Sequence, residues 1–143
     1  MPAFVLTGNP RRRARRRGPA GVHLRGEPVV GRWSTGQNRR RISPGDVLYR
    51  LRQGPDRRGV GSGRAVSEVF QGVHDDDPQR VANYVEHAWD VIVPVADRLP
   101  TEVLLHVVPG VVWSMPGSGY QVPAHSEALL ATTWAEHLAA LGA

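Results

Sequence analysis

Two kinds of chemistry-bearing residue stand side by side in Gly31 to Val69. Trp33-Ser34-Thr35-Gly36 sets an indole among small polar groups, and Asn38 and Arg39-Arg40-Arg41 follow within five residues. An aromatic face restacks an unpaired base, hydroxyls and an amide read the base's edge, and arginines hold backbone phosphate. Gly31 and Gly36 bracket Trp33 in a stretch that reads as an exposed polar loop, which favours a binding role over a plug at one end of the core. Ser34, Thr35 and Asn38 are the polar readers beside it. Arg32, Arg39, Arg40, Arg41 and Arg64 are the candidate phosphate contacts. Tyr49 and Trp89 fall in strand-like segments, where core packing is their first role and a pocket wall their second.

Other groupings resemble active sites and do not carry the chemistry. Gly59-Val60-Gly61-Ser62-Gly63 has the look of a phosphate-binding glycine loop, but Ala65 to Val69 read as strand instead of the helix whose N-terminus would hold phosphate. Ser62 also lacks the G-x-S-x-G elbow of a serine hydrolase. His74-Asp75-Asp76-Asp77 is an acidic connection without paired metal-ligand spacing. The six histidines are scattered, with no zinc spacing and no general-base pair. No catalytic residue, metal or cofactor is assigned.

Charge points the same way as the Trp33 segment. All eighteen basic residues are arginine. Residues 1–64 hold sixteen of them against three acids, a net +13, and residues 65–143 hold two against ten, a net −8. Genome composition accounts for an absence of lysine but not for this segregation, which fits a basic face meeting a polyanion. Arg11 to Arg17, reading RRRARRR, either order on phosphate or form a solvated basic loop. The 143 residues bound one domain, 1–143, with one core. Without cysteine there is no disulfide framework and no thiolate metal site. No apolar run approaches membrane-spanning length and no signal segment opens the chain, so a cytoplasmic protein is the expectation.

The positioning elements read as mainly strands. Ala3 to Thr7 is a short apolar strand. Ile42 to Asp46 is a tight turn leading into Val47 to Arg52, a strand with one wet, cationic face. Arg58 to Val69 reads as a glycine-bearing strand able to bend, and Ala82 to Val93 as another. Thr101 is placed to cap a short helix ending before Pro109-Gly110. After Pro123, Leu130, Trp134, Leu138 and Leu141 share one helical face, so Trp134 belongs to the core. The fold class is α+β, a small mixed β-barrel with flanking helices.

A resemblance joins these pieces. Asn9-Pro10, Arg32 to Gly36, Ile42 to Asp46, Leu51 to Gly54, Arg58 to Gly63, Asn83-Tyr84-Val85, Asp97 to Pro100, Val108 to Gly110, Ser118-Gly119 and Trp134 to Leu138 stand in the order and at the separations of the EVE domains of the PUA-like superfold. Such domains are joined to HNH endonucleases in bacterial modification-dependent restriction. The resemblance covers nearly the whole chain. It implies a PUA-like barrel whose pocket takes a modified cytosine, 5-methyl or 5-hydroxymethyl, flipped from double-stranded DNA.

Two expected aromatics are missing: the arginine run stands after Asn9-Pro10, and His74-Asp75-Asp76 stands where the family pattern implies His-Trp-Asp. That opens a different modification, weaker binding, or backbone affinity in place of base reading. No HNH segment follows the barrel in these residues, so a nuclease would be a separate partner. The alternative is a PUA-like domain that grips structured RNA and stacks Trp33 on an unpaired base. An enzyme of small molecules or nucleotides, using the glycine-rich strand and Asp46, is a third and weaker reading.

Overall fold

β1 (Ala3–Gly8) has no neighbour close in sequence. It pairs in parallel with β3 (Val47–Arg52) and antiparallel with β8 (Tyr120–Gln121). The computed structural model that shows this describes residues 2–8, 29–36, 41–52, 58–74, 77–93, 99–111, 113 and 118–142. β3 pairs antiparallel with β4 (Arg58–Ala65), β4 with β6 (Val81–Ile92), and β6 with β2 (Val29–Ser34). The order is β2-β6-β4-β3-β1-β8, with β5 (Phe70–Val73) on the start of β6 and β7 (Leu99–Pro100) on the start of β4. One parallel pair in an otherwise antiparallel sheet makes the sheet mixed. It curls into a half-barrel.

The curl has local causes. Register shifts fall between Arg50 and Leu51 in β3 and between Ser62 and Gly63 in β4, and such bulges bend a strand and increase its twist. At Gly63 the two backbones are so close that a Cβ would overlap the Ala88 carbonyl oxygen and stand 2.8 Å from Trp89 Cα. Only glycine fits there.

Strand alternation divides the apolar residues between two clusters. Phe4 and Leu6 of β1, Trp33 of β2, Leu48 of β3, Ala65 of β4, and Val85 and Trp89 of β6 meet inside the curl, together with Ile42. Ala3, Val5 and, more peripherally, Val47, Tyr49 and Val91 face the other way, towards α1 (Thr101–Val107) and α2 (Ala124–Ala140). Leu130 and Trp134 of α2 are buried there, with Leu138 and Leu141 packed alongside, so the helical face expected from the sequence is the face the sheet covers. At about 25 cal/mol per Å², burying one such side chain contributes roughly 1.5–3 kcal/mol.

Several sequence expectations are corrected. Trp33 lies in a strand, not an exposed loop, and is only 6% exposed. The strand expected over Arg58 to Val69 ends at Ala65, because Val66 N–H turns to the Glu86 carbonyl and Ser67 Oγ accepts from Glu86 N–H before β5 begins. Thr101 is not the cap of α1. Pro100 holds that position in an extended conformation, and the buried Thr101 hydroxyl makes no hydrogen bond. No helix among the described residues is long and apolar enough to cross a membrane.

Candidate functional site

The half-barrel's inner wall gathers three aromatic rings because β2 and β6 pair antiparallel over Val29 to Ser34. Their register sets Gly31 opposite His87 and Trp33 opposite Val85, so Trp33, His87 and Trp89 project to one side. His87 lies over Trp89 with ring centres 4.5 Å apart and planes 32° from parallel. Trp33 meets both edge-on, at 6.1 Å from each. Gly31 leaves the space beside His87, since a Cβ there would stand 3.3 Å from its Cε1 and Nε2. Of the expected pocket aromatics, Trp33 and Trp89 are brought together.

Tyr49 is not. It sits on the helix side of β3, against the α1 and α2 cluster, because odd positions of that strand face the helices while Leu48 and Arg50 face the curl. Burial pushes the Tyr49 hydroxyl above its ordinary 10.0; Arg64 pulls it down and Glu127 pushes it up. A cavity of about 20 Å³ beside it, bordered by Leu104, Trp113, Leu130 and Trp134, holds at most a water-sized group.

Arg50 is the residue the sequence misplaces. Alternation in β3 suggests a solvent-facing cation, yet the same parity that buries Leu48 completely carries Arg50 inward. Its guanidinium carbon lies 4.8 Å from the centre of the Trp33 ring. A cation on an indole face gains about 0.5–2 kcal/mol, more as water is removed. The signal was present in the spacing: Leu48 and Arg50 are two apart.

The polar readers separate at the end of β2. Gly36 takes the left-handed conformation at φ 59, and a Cβ there would stand 2.9 Å from the Ser118 carbonyl oxygen. Ser34 Oγ accepts the Gly36 N–H at 3.3 Å, Thr35 N–H donates to the Asn83 carbonyl, and Asn83 Nδ2 donates to the Gly36 carbonyl at 2.9 Å. Thr35 is fully buried and Ser34 partly so. These groups hold the turn in shape. Ser118 Oγ also accepts the Thr7 N–H at 3.0 Å, tying this corner to β1.

Of the five arginines expected to contact phosphate, Arg32, Arg41 and Arg64 lie among the described residues. Arg41 and Arg64 are exposed, and Arg64 donates to the Gly45 carbonyl at 3.2 Å. Arg32 is spread over the Tyr84 ring at 4.0 Å and donates to the Val73 carbonyl at 2.8 Å, so it braces β5 against β6 as well as reaching the surface. Asn38, Arg39 and Arg40 lie outside the described residues, as do Arg11 to Arg17.

Groups set aside on sequence grounds have structural partners. Ser62 Oγ accepts the Trp134 indole N–H at 2.8 Å, and Asp46 Oδ2 accepts the Ser43 N–H at 2.9 Å within its turn. Among the described residues no three His, Asp or Glu side chains are grouped to hold a metal ion. No protein-family model, curated protein or solved structure matches this chain.

Proposed function

We propose that this chain is a PUA-like, EVE-type reader that binds double-stranded DNA and takes a modified cytosine, flipped out of the duplex, against the inner wall of its half-barrel. The observation that carries the reading is the meeting of Trp33, His87 and Trp89 with a planar cation, Arg50, laid on the Trp33 face. A guanidinium is close in size and flatness to a pyrimidine ring. A surface that stacks one can stack the other.

The energetics are consistent. Extruding a base costs a few kcal/mol of lost stacking and pairing, and stacking on an aromatic side chain returns about 1–3 kcal/mol. Phosphate contacts supply the rest, and the exposed Arg41 and Arg64 are the described residues suited to them. Arg39 and Arg40 continue from the same segment. The reading needs no cofactor and no catalytic group, and it assigns any DNA cleavage to a separate nuclease.

The test is fluorescence anisotropy on matched duplexes carrying one cytosine, 5-methylcytosine or 5-hydroxymethylcytosine, at low and physiological salt, with structured RNA as competitor. The expected result is a preference for one modified duplex that survives the higher salt. Equal binding to all three that collapses with salt overturns base reading, and displacement by RNA ahead of every duplex transfers the site to an RNA-binding PUA-like domain.

A further inference from the structure

We propose that Arg50 is the residue that selects the base: it covers the Trp33 face while the site is empty, then turns its guanidinium fork to the O2 and N3 edge of the entering cytosine. This rests on the modified-cytosine reading above and adds to it a specificity determinant.

The geometry supplies three parts of the argument. First, Arg50 stands in the interior of the sheet, paired with Leu6 on one side and Gly61 on the other, so its Cα is fixed by two ladders. A side chain on such a frame is positioned more narrowly than one on a loop. Second, the register shift after Arg50 places the extra residue, Val60, in the facing strand β4 while β3 keeps its regular pairing with β1, and such a bulge increases the local twist of the strand pair that carries Arg50. Third, its guanidinium already lies over the ring on which a base would stack, 4.8 Å from the centre. Base and guanidinium compete for one face, so a base that enters must move the cation aside. The shortest displacement is from the face to the rim, which places the fork beside the base's edge.

The chemistry then decides which base benefits. Arginine presents only donors, five N–H groups in a rigid fork. Cytosine presents two adjacent acceptors, O2 and N3, and takes both arms of the fork. Thymine has the same ring and a 5-methyl group but carries a proton on N3, so a donor would face a donor. The methyl group is read by the apolar and aromatic wall; the distinction between cytosine and its deaminated counterpart falls to Arg50. A good bidentate contact discriminates by about 5- to 150-fold.

The experiment uses the full chain and one duplex scaffold carrying 5-methylcytosine, 5-hydroxymethylcytosine, cytosine or thymine opposite an abasic position, so that no pairing with the opposite strand biases the flip. Wild-type protein is expected to bind 5-methylcytosine about 5- to 150-fold better than thymine. Arg50→Met, which keeps the length and removes every donor, is expected to bring that ratio near one while leaving the slope of affinity against salt unchanged. Arg50→Lys retains the charge on Trp33 without the fork; it is expected to lose most of the ratio and serves if the Met variant does not fold.

A variant that folds and keeps the wild-type ratio overturns the assignment. So does a uniform loss of affinity with a shallower salt slope, which would make Arg50 a phosphate contact. If wild type prefers 5-methylcytosine to cytosine yet treats 5-methylcytosine and thymine alike, only the role of Arg50 fails. If it binds 5-methylcytosine, 5-hydroxymethylcytosine and cytosine equally, the reader itself fails and this assignment with it.

Discussion

The indole N–H of Trp33 donates to the carbonyl oxygen of Thr7 at 3.0 Å, joining β2 to β1 across an edge where the two strands share no ladder. It is a side-chain stitch between two strands that share no backbone pairing. The ring of the proposed stacking face therefore also ties the curl together.

Replacing Trp33 therefore separates two effects. Trp33→Phe keeps a ring against Trp89 and His87 but leaves the buried Thr7 carbonyl unsatisfied, and is expected to cost about 1–3 kcal/mol of stability. Trp33→Ala also opens a cavity and is expected to cost about 3–5 kcal/mol. Urea unfolding monitored by circular dichroism checks both. A Trp33→Phe variant as stable as wild type would show that the stitch contributes nothing.

Ser62 and Trp134 form the corresponding contact on the helix side, 2.8 Å from Oγ to Nε1. Ser62→Ala strands an indole N–H and is expected to lose about 1–3 kcal/mol. In a double-mutant cycle with Trp134→Phe the two losses should fall short of adding, because both remove one hydrogen bond. Strict additivity in the measured unfolding free energies would remove that bond from the account of how α2 docks.

Gly63 tolerates no side chain. Gly63→Ala forces β4 and β6 apart at the bulge, and the expected result is a loss of at least about 1–3 kcal/mol or failure to fold, read from the thermal midpoint. Gly45→Ala is the comparison for ordinary strain, since its φ of 93 is unfavourable to alanine but nothing lies within 4 Å of the added methyl.

Tyr49 gives the protein an alkaline limit with a definite sign. Burial raises the folded-state hydroxyl above 10.0, so above that pH the unfolded chain loses its proton first. The folded state then binds more protons than the unfolded one, and stability falls as pH rises. The contribution is intact below pH 10 and is lost progressively above it. Urea midpoints across alkaline pH should decline less steeply for Tyr49→Phe than for wild type.

Arg41 and Arg64 are expected to act on every duplex alike. Alanine at either position should weaken modified and unmodified DNA equally, and each phosphate contact removed should reduce the slope of log affinity against log salt by about 0.9. Binding isotherms at four salt concentrations check this; a change confined to the modified duplex would place the side chain at the base instead.

The strands that carry their own pattern were legible. Ala3 to Thr7 is a continuous apolar run, Val47 to Arg52 and the long run ending near Val93 alternate in part, and the stripe from Leu130 to Leu141 marks α2. β2 was not legible, because Gly31 takes the inward position before Trp33 and hides an alternation that only the pairing with β6 makes visible. β7 and β8 are two residues each and exist through tertiary pairing alone.

The site was half legible for a related reason. Residue types identified Trp33 and Trp89, but which side of the sheet a residue faces depends on parity and bulges. That sends Tyr49 to the helices and brings to the aromatic wall His87, which sequence reasoning left unassigned, and Arg50, which it placed on a wet strand face. Asn38, Arg39 and Arg40 fall outside the described residues and stay as the sequence alone presents them.

The pairing of β1 also bears on how the molecule assembles. Ala3 meets Val47, forty-four residues on, and Phe4 meets Gln121, one hundred and seventeen residues on. During synthesis Phe4 and Leu6 leave the ribosome long before the strands that cover them, and the ordering entropy of two large loops must be met before either contact is gained. Such a topology folds slowly for its size. It leaves the outer edge of an apolar strand unpaired until Tyr120 and Gln121 have emerged.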